Sequence, residues 1–152
     1  MADVPTEEPL LITTSIAIDA SVEDVWSQLI DFSEYGAWNP LTPHVEGEAK
    51  EGEDVTLHVS LLGAKLTRVH TISQVREPSM LAWTIKSPFR WWLRGERRQV
   101  LVGHPDGGCS YTNEEEICGV ASVFVALFLR GVLRRALEAV GAGLKSHVER
   151  PR

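Results

Sequence analysis

Three residues whose side chains can transfer protons, His70, Tyr111 and Glu115, lie in segments that are predicted to be strands. Tyr111 and Glu115 belong to the run 109–118 and His70 to the run 65–76. Because side chains alternate between the two faces of a strand, Tyr111 and Glu115 share one face. In a reaction that needs proton transfer, His70 and Glu115 could act as general acid and base, with Tyr111 as a third catalytic residue. The same side chains could equally bind a ligand without transforming it.

The same alternation selects further polar residues for the face that carries Tyr111 and Glu115. Arg97 and Glu115 fall on neighbouring strands and could form an ion pair, which a charge buried in a cavity requires. Such a group could orient a ligand carbonyl or carboxylate. A shift of one residue in register would instead turn the whole set to solvent. The predicted ligand-binding residues are Arg68, His70, Trp83, Trp91, Trp92, Arg97, Gln99, Tyr111, Asn113, Glu115, Phe124 and Phe128.

The segment PFRWWLRGER at 88–97 places two adjacent tryptophans between arginines. An exposed indole at Trp91 or Trp92 could close over an apolar ligand, dock on a membrane surface or form a dimer contact. The neighbouring arginines could meet an anionic head group or stack on the rings. Alternatively, both rings pack on the edge of the sheet and the arginines only make the protein more soluble.

The order of predicted elements indicates an α+β fold. Residues 10–19 form a strand, and Ser21 with Asp24 resembles a capping box at the start of a helix. A second helical turn at 33–37 must end near Pro40, since the residue before proline avoids the helical region. Five strands follow, and then an amphipathic helix over 122–149. The five strands are predicted at 55–61, 65–76, 80–86, 94–102 and 109–118.

Four stretches of this sequence resemble the START-like helix-grip superfamily, also called SRPBCC or Bet v 1-like. They are IAIDASVEDVWSQLIDFSEYGAWNP at 16–40, LAW at 81–83, PDGGCSYTNEEEICG at 105–119 and the long C-terminal helix. Within the superfamily, the sequence is most similar to the polyketide cyclase/dehydrase and lipid-transport branch. The resemblance implies a curved antiparallel sheet wrapped around the C-terminal helix, with a cavity between them. Phe124 and Phe128 could then line that cavity under the helix, or simply pack in the core.

The resemblance implies a single START-like ligand-binding domain at 10–149, between a flexible tail at 1–9 and a short tail at 150–152. Its members bind or transform different ligands, so the fold leaves three functions open. The first is binding of a hydrophobic or aromatic small molecule, such as a lipid or a polyketide-like compound. The second is a polyketide cyclase or dehydratase reaction. The third is contact with a protein or a membrane through the Trp91-Trp92 edge.

Composition narrows the possible partners. Residues 1–60 carry thirteen acids and one lysine, whereas residues 122–152 carry six basic and two acidic groups, and the whole chain has a net charge of -6. An acidic chain of this kind is not expected to bind nucleic acid. The motifs typical of metal or nucleotide sites are absent, so neither a metal nor a cofactor is expected. The most apolar stretch, at 120–129, is too short to span a bilayer, although peripheral membrane contact stays open.

Two cysteines nine residues apart on one predicted strand cannot form a disulfide with each other. Free thiols and the lack of a signal peptide lead us to expect a cytoplasmic protein. The sequence is compatible with either a monomer or a homodimer.

Overall fold

In the computed structural model, which describes residues 8–151, seven strands form one antiparallel sheet in the order β1-β7-β6-β5-β4-β3-β2. All five strands predicted after the first helices are present, with bounds that differ by at most one residue from those expected. The strands are β1 (Leu10–Ile18), β2 (His44–Glu46), β3 (Asp54–Leu61), β4 (Ala64–Arg76), β5 (Met80–Ile85), β6 (Arg94–Gly103) and β7 (Cys109–Cys118). The short edge strand β2 was not predicted, because three residues are too few to show a period.

Two short helical segments follow β1, as predicted, and a long helical segment follows β7. The Ser21 hydroxyl accepts a hydrogen bond of 3.1 Å from the Asp24 backbone N–H, which confirms the predicted start of the first helix. The helices are α1 (Val22–Ile30), a 3₁₀ turn (Phe32–Glu34) continuing into α2 (Tyr35–Trp38), then α3 (Val120–Phe124), a π-helical turn (Val125–Leu129) and α4 (Arg130–Val148). Among residues 8–151, no helix is both long and apolar enough to cross a membrane.

The sheet has an inner face that packs against α4 and an outer face that is largely polar. Trp83, Leu101 and Tyr111 alternate with outer-face residues along β5, β6 and β7, and all three are at most 3% exposed. The strand pairing shifts between Ile72 and Gln74, so one residue of β4 bulges out of register. The tail predicted at residues 1–9 lies mostly outside the described residues.

The C-terminal half of the long helical segment contributes the helix side chains that are fully buried in the core. Leu137, Val140 and Leu144 of α4 are at most 1% exposed. By contrast, Phe124 and Phe128 are 58% and 67% exposed. The expectation that these two phenylalanines line a cavity under the helix is therefore wrong. Periodicity places apolar residues on one stripe of a helix, but it does not show that another element covers the stripe.

The contact between α4 and α2 depends on a residue without a side chain. A Cβ atom at Gly143 would lie 2.0 Å from the backbone carbonyl oxygen of Trp38. Trp38 is itself only 4% exposed and belongs to the core cluster, so this backbone cannot move away easily. Gly143 thus allows α4 to approach α2 closely.

We predict that Gly143→Ala lowers the free energy of unfolding by about 3 kcal/mol or more, because the new methyl group overlaps the Trp38 carbonyl. Gly131→Ala is the matched control in the same helix, since its Cβ would meet only the tip of Arg135, at 3.7 Å. The control should gain up to about 1 kcal/mol from higher helix propensity. Urea denaturation followed by circular dichroism measures both changes. Equal effects at the two positions would show that the Trp38 contact is unimportant.

Candidate functional site

A group of hydrogen-bonded polar side chains lies on the inner face of β6 and β7, inside the core. The Tyr111 hydroxyl donates to Gln99 Oε1 at 2.7 Å, and Asn113 Nδ2 donates to the Tyr111 hydroxyl at 3.2 Å. Gln99, Tyr111 and Asn113 are between 0% and 2% exposed. They come together because Gln99 pairs with Asn113 across the two strands, and Tyr111 lies two residues from Asn113 on the same face.

Three buried polar atoms on this inner face have no hydrogen-bond partner among the described residues. They are Gln99 Nε2, Asn113 Oδ1 and His70 Nδ1. Turning either carboxamide over would exchange its donor and acceptor, but one polar atom of each would still lack a partner. A buried polar group without a partner costs roughly 1–3 kcal/mol, so most such groups in folded proteins are satisfied. No described residue of the chain compensates this cost.

An ion pair lies close to this group. Arg97 Nε donates to Glu115 Oε2 at 2.5 Å, and their side chains are 13% and 12% exposed. Arg97 is directly opposite both Glu115 on β7 and Trp83 on β5. The ion pair expected from the sequence is therefore present. Each charge compensates the other, and either one alone would be costly to bury.

His70 is buried on β4, with its ring 6.5 Å from the Trp83 ring between centroids. Burial, and then the positive charge of Arg97, lower the pKa of His70 to about 4 from its usual 6.5. The imidazole is therefore neutral at pH 7. A neutral ring can donate from one nitrogen and accept at the other.

The structure does not bring His70 and Glu115 together. Two strands separate β4 from β7, which puts their backbones about 14 Å apart along the sheet. Among residues 8–151, no hydrogen bond joins His70 to Glu115 or to Tyr111. The three predicted catalytic residues thus share a face without forming a contiguous unit.

Burial also determines the protonation of two tyrosines. Desolvation raises the pKa of Tyr111, although the charge of Arg97 opposes the change. Desolvation likewise raises the pKa of Tyr35, whose hydroxyl donates to the Leu29 carbonyl at 2.7 Å. Both phenols remain neutral hydrogen-bond donors, so Arg97 and Glu115 are the charged groups of this part of the inner face.

A cleft of about 300 Å³ opens between the first half of α4 and the end of β3. Leu41, Leu61 and Leu62 contribute one wall, and Val132 and Ala136 of α4 contribute the other. Arg68 lies on the exposed part of β4, opposite Leu57 of β3, and its guanidinium donates to the Thr67 carbonyl at 3.1 Å. It is thus on the predicted face but outside the buried group.

Trp91 and Trp92 belong to the connection between β5 and β6 and are 67% and 49% exposed. Their backbone is fixed on α3, because the Val120 N–H donates to the Trp91 carbonyl at 3.1 Å and the Ala121 N–H to the Trp92 carbonyl at 2.9 Å. A Cβ at Gly119, whose φ is +99°, would lie 2.6 Å from the Trp92 oxygen, so the approach requires glycine there. The tryptophans do not pack on the sheet edge.

One cluster of possible metal ligands was missed by the sequence analysis. His44, Glu46 and His58 place ligand atoms within 4.8 Å of one another on the outer face of β2 and β3. His44 pairs directly with His58 across the strands, a neighbourhood that their spacing of fourteen residues does not reveal. The three groups could hold a divalent ion. They face away from Gln99 and Asn113, so an ion there would not reach the interior.

A curved antiparallel sheet around a long C-terminal helix, with short helices after the first strand, is the helix-grip fold of START-like proteins. The chain matches the family described as polyketide cyclase/dehydrase and lipid transport over residues 9–149, and it belongs to that family. No curated protein matches the chain.

Solved structures agree with this assignment at low sequence identity. The Zhui aromatase/cyclase from Streptomyces sp. R1128 is 17% identical, with a TM-score of 0.76 over 94% of this chain and 95% of that one. A START superfamily protein from Mycobacterium smegmatis is 17% identical, with a TM-score of 0.73 over 91% of this chain and 97% of that one. Ara h 8.0201 is 11% identical, with a TM-score of 0.71 over 93% of this chain and 98% of that one. At these identities the likeness shows the fold alone.

We predict that the protein loses stability as the pH falls from about 6.5 to about 4. The unfolded chain protonates His70 near its usual pKa, whereas the folded protein resists protonation until about pH 4, so acid favours the unfolded state. The expected loss is up to about 3 kcal/mol. Urea titrations across this range should show a shallower pH slope for His70→Phe than for the wild type. Thr112→Val, which removes no titratable group, should keep the wild-type slope. If His70→Phe has the same pH slope as the wild type, the acid-induced loss of stability does not come from His70.

Proposed function

We propose that this protein binds a hydrophobic or aromatic small molecule between the inner face of the sheet and the C-terminal helix. The observation that carries the proposal is the set of unpaired atoms on Gln99, Asn113 and His70, which lie on one face of the sheet among apolar core side chains. Apolar burial at ~25 cal/mol per Å² would supply most of the affinity, and the polar atoms would set its orientation.

The unpaired atoms define the chemistry of the ligand. Gln99 offers a donor, Asn113 an acceptor and neutral His70 either one. A planar compound that carries both carbonyl and hydroxyl groups satisfies them, whereas a plain hydrocarbon leaves them unsatisfied. Lipid-like or polyketide-like compounds with oxygen substituents meet this requirement.

A second candidate is a cyclase or dehydratase that acts on such a compound. It is favoured by the unpaired Nδ1 of a neutral histidine, which could accept a proton from a substrate. Since His70 is remote from Glu115, the substrate itself would have to span the distance between them. In this case His70→Phe would abolish conversion of the substrate, whereas in a binding protein it would only weaken affinity.

The first test is native mass spectrometry of the protein as purified, followed by denaturation and identification of any released compound. A small-molecule adduct that is lost on denaturation would support an interior site. The second test compares alizarin, a dihydroxyanthraquinone, with anthracene, which has the same three-ring skeleton without oxygens. We expect saturable binding of alizarin at least about tenfold tighter than that of anthracene.

Asn113→Leu separates the ligand site from general effects on the fold. Leucine is similar in volume and removes the unpaired Oδ1, so the variant should be as stable as the wild type or more so. It should lose the preference for alizarin over anthracene. Thr112→Val, on the outer face of the same strand, is the matched control and should keep that preference. A clean apo mass together with no saturable binding of either compound would overturn the proposal.

A further inference from the structure

Several large apolar side chains protrude at one end of the molecule. Because the strands alternate in direction, the β3–β4 turn, the β5–β6 connection and the β7–α3 junction all lie at this end of the sheet. We call it the apolar end. Its most prominent side chains are each 58–77% exposed, and they are those of Leu62, Phe89, Trp91, Phe124, Leu127 and Phe128.

The helical part of the apolar end has the sequence pattern of a buried helix, but it is exposed. Val120, Val123, Phe124, Leu127 and Phe128 recur at spacings of three and four residues and thus form one stripe. All five are at least 47% exposed. Nothing among the described residues covers this stripe.

Positive charge surrounds the apolar end. The segments 61–70, 86–95 and 119–137 contain no Asp or Glu. They do contain exposed basic residues that make no ion pair within the described part of the chain, among them Arg68, Arg90, Arg94, Arg134 and Arg135. The nearby acids Glu114 and Glu116 are both paired with Arg98 on the outer face. This end is therefore cationic in a protein whose net charge is -6.

We propose that the apolar end docks on the surface of an anionic lipid bilayer. The phenylalanine, leucine and tryptophan side chains enter the boundary between head groups and acyl chains, while the arginines contact lipid phosphates. Along the exposed helical face, Arg134 and Arg135 come after the apolar turns. The apolar turns can therefore enter the membrane while these arginines remain at the level of the charged head groups. The acidic remainder of the molecule is repelled by the same surface, which leaves this orientation favoured.

The shape of the apolar end favours a bilayer over a folded protein partner. Its apolar residues protrude from three separate segments, including the tip of a hairpin at Leu62, which is 77% exposed. A fluid bilayer adapts to separate protruding side chains, whereas a protein partner would need a matching set of cavities.

Leu62 gives an independent reason to expect a role in contact with lipid. Its φ of 52° lies in the left-handed region, which disfavours leucine, and Gly63 follows with a φ of 77°. A two-residue turn of this kind prefers asparagine followed by glycine. Leucine is thus unfavourable there both because of its backbone conformation and because its side chain is exposed to water. A residue that destabilises the free protein in this way is compatible with a function in the lipid-bound protein.

The test is binding to vesicles of phosphatidylcholine alone and of phosphatidylcholine with roughly one third phosphatidylglycerol. Co-sedimentation should show binding to the anionic vesicles only, weakened by salt. Tryptophan fluorescence reports the depth, because Trp26, Trp38 and Trp83 are only 2–4% exposed. A blue shift, and quenching by brominated lipid, would therefore arise from Trp91 and Trp92.

Matched variants separate the apolar contribution to vesicle binding from the electrostatic one. Trp91→Ser with Trp92→Ser, and Arg134→Glu with Arg135→Glu, should each reduce partitioning at least about tenfold. Val102→Ser and Arg76→Glu are the controls, since both residues are exposed at the opposite end of the sheet, and both should bind as the wild type does. Equal binding by the tryptophan variant and the wild type would overturn the proposal. So would an absence of vesicle binding combined with a dimer that the tryptophan variant abolishes, because the apolar end would then contact a second copy of the chain.

Leu62→Asn adds a test in which two measured quantities change in opposite directions. The variant should raise the midpoint of thermal unfolding, because asparagine tolerates the left-handed conformation, and it should weaken vesicle binding severalfold. A variant that is more stable and binds vesicles as the wild type does would contradict the role of Leu62. These outcomes do not depend on a ligand in the interior, so the docking surface and the proposed binding function can fail separately.

Discussion

The rest of the structure depends on how α4 packs against the sheet and α2. Its C-terminal half is held closely, through Leu137, Val140 and Leu144 and through a backbone approach that only Gly143 permits. The helical turns before α4 pack on the core only through partly buried side chains, among them Val125 and Ala126. The exposed apolar stripe that begins in α3 follows from this unequal packing.

The interior is unusual in its polar content rather than in its size. Tyr111, Gln99 and Asn113 satisfy one another only in part, because three side chains on two strands cannot supply every donor and acceptor that they contain. Neutral His70 adds another unpaired atom further along the same face. A protein selected for stability alone would place apolar side chains at these positions. Folding stability therefore does not account for these polar groups, and the proposed ligand binding would.

The sequence was sufficient to predict the architecture but only part of the site. Alternation along β7 correctly assigned Tyr111, Asn113 and Glu115 to one face, because strand parity is a local property. It could not show that Phe124 is exposed, because helical periodicity contains no information about what covers a stripe. Nor could it bring His44 next to His58, since their pairing depends on a three-residue strand with no period of its own. Hydrogen-bond satisfaction at Asn113 depends on differences of less than an ångström, which no sequence pattern records.

The uneven distribution of charge has a further consequence for motion in solution. Acids lie in the turn after β1, in the first turn of α1 and in the turns before β5 and β7, at the end of the sheet opposite to Trp91. They are Asp19, Glu23, Glu77 and Asp106. Opposite charges at two ends of one rigid body form a permanent electric dipole. In the field of a charged surface, a dipole experiences a torque that turns the molecule before contact, over distances comparable with the Debye length of about 10 Å. Encounters with such a surface would thus begin already aligned, and their frequency would fall as the ionic strength rises.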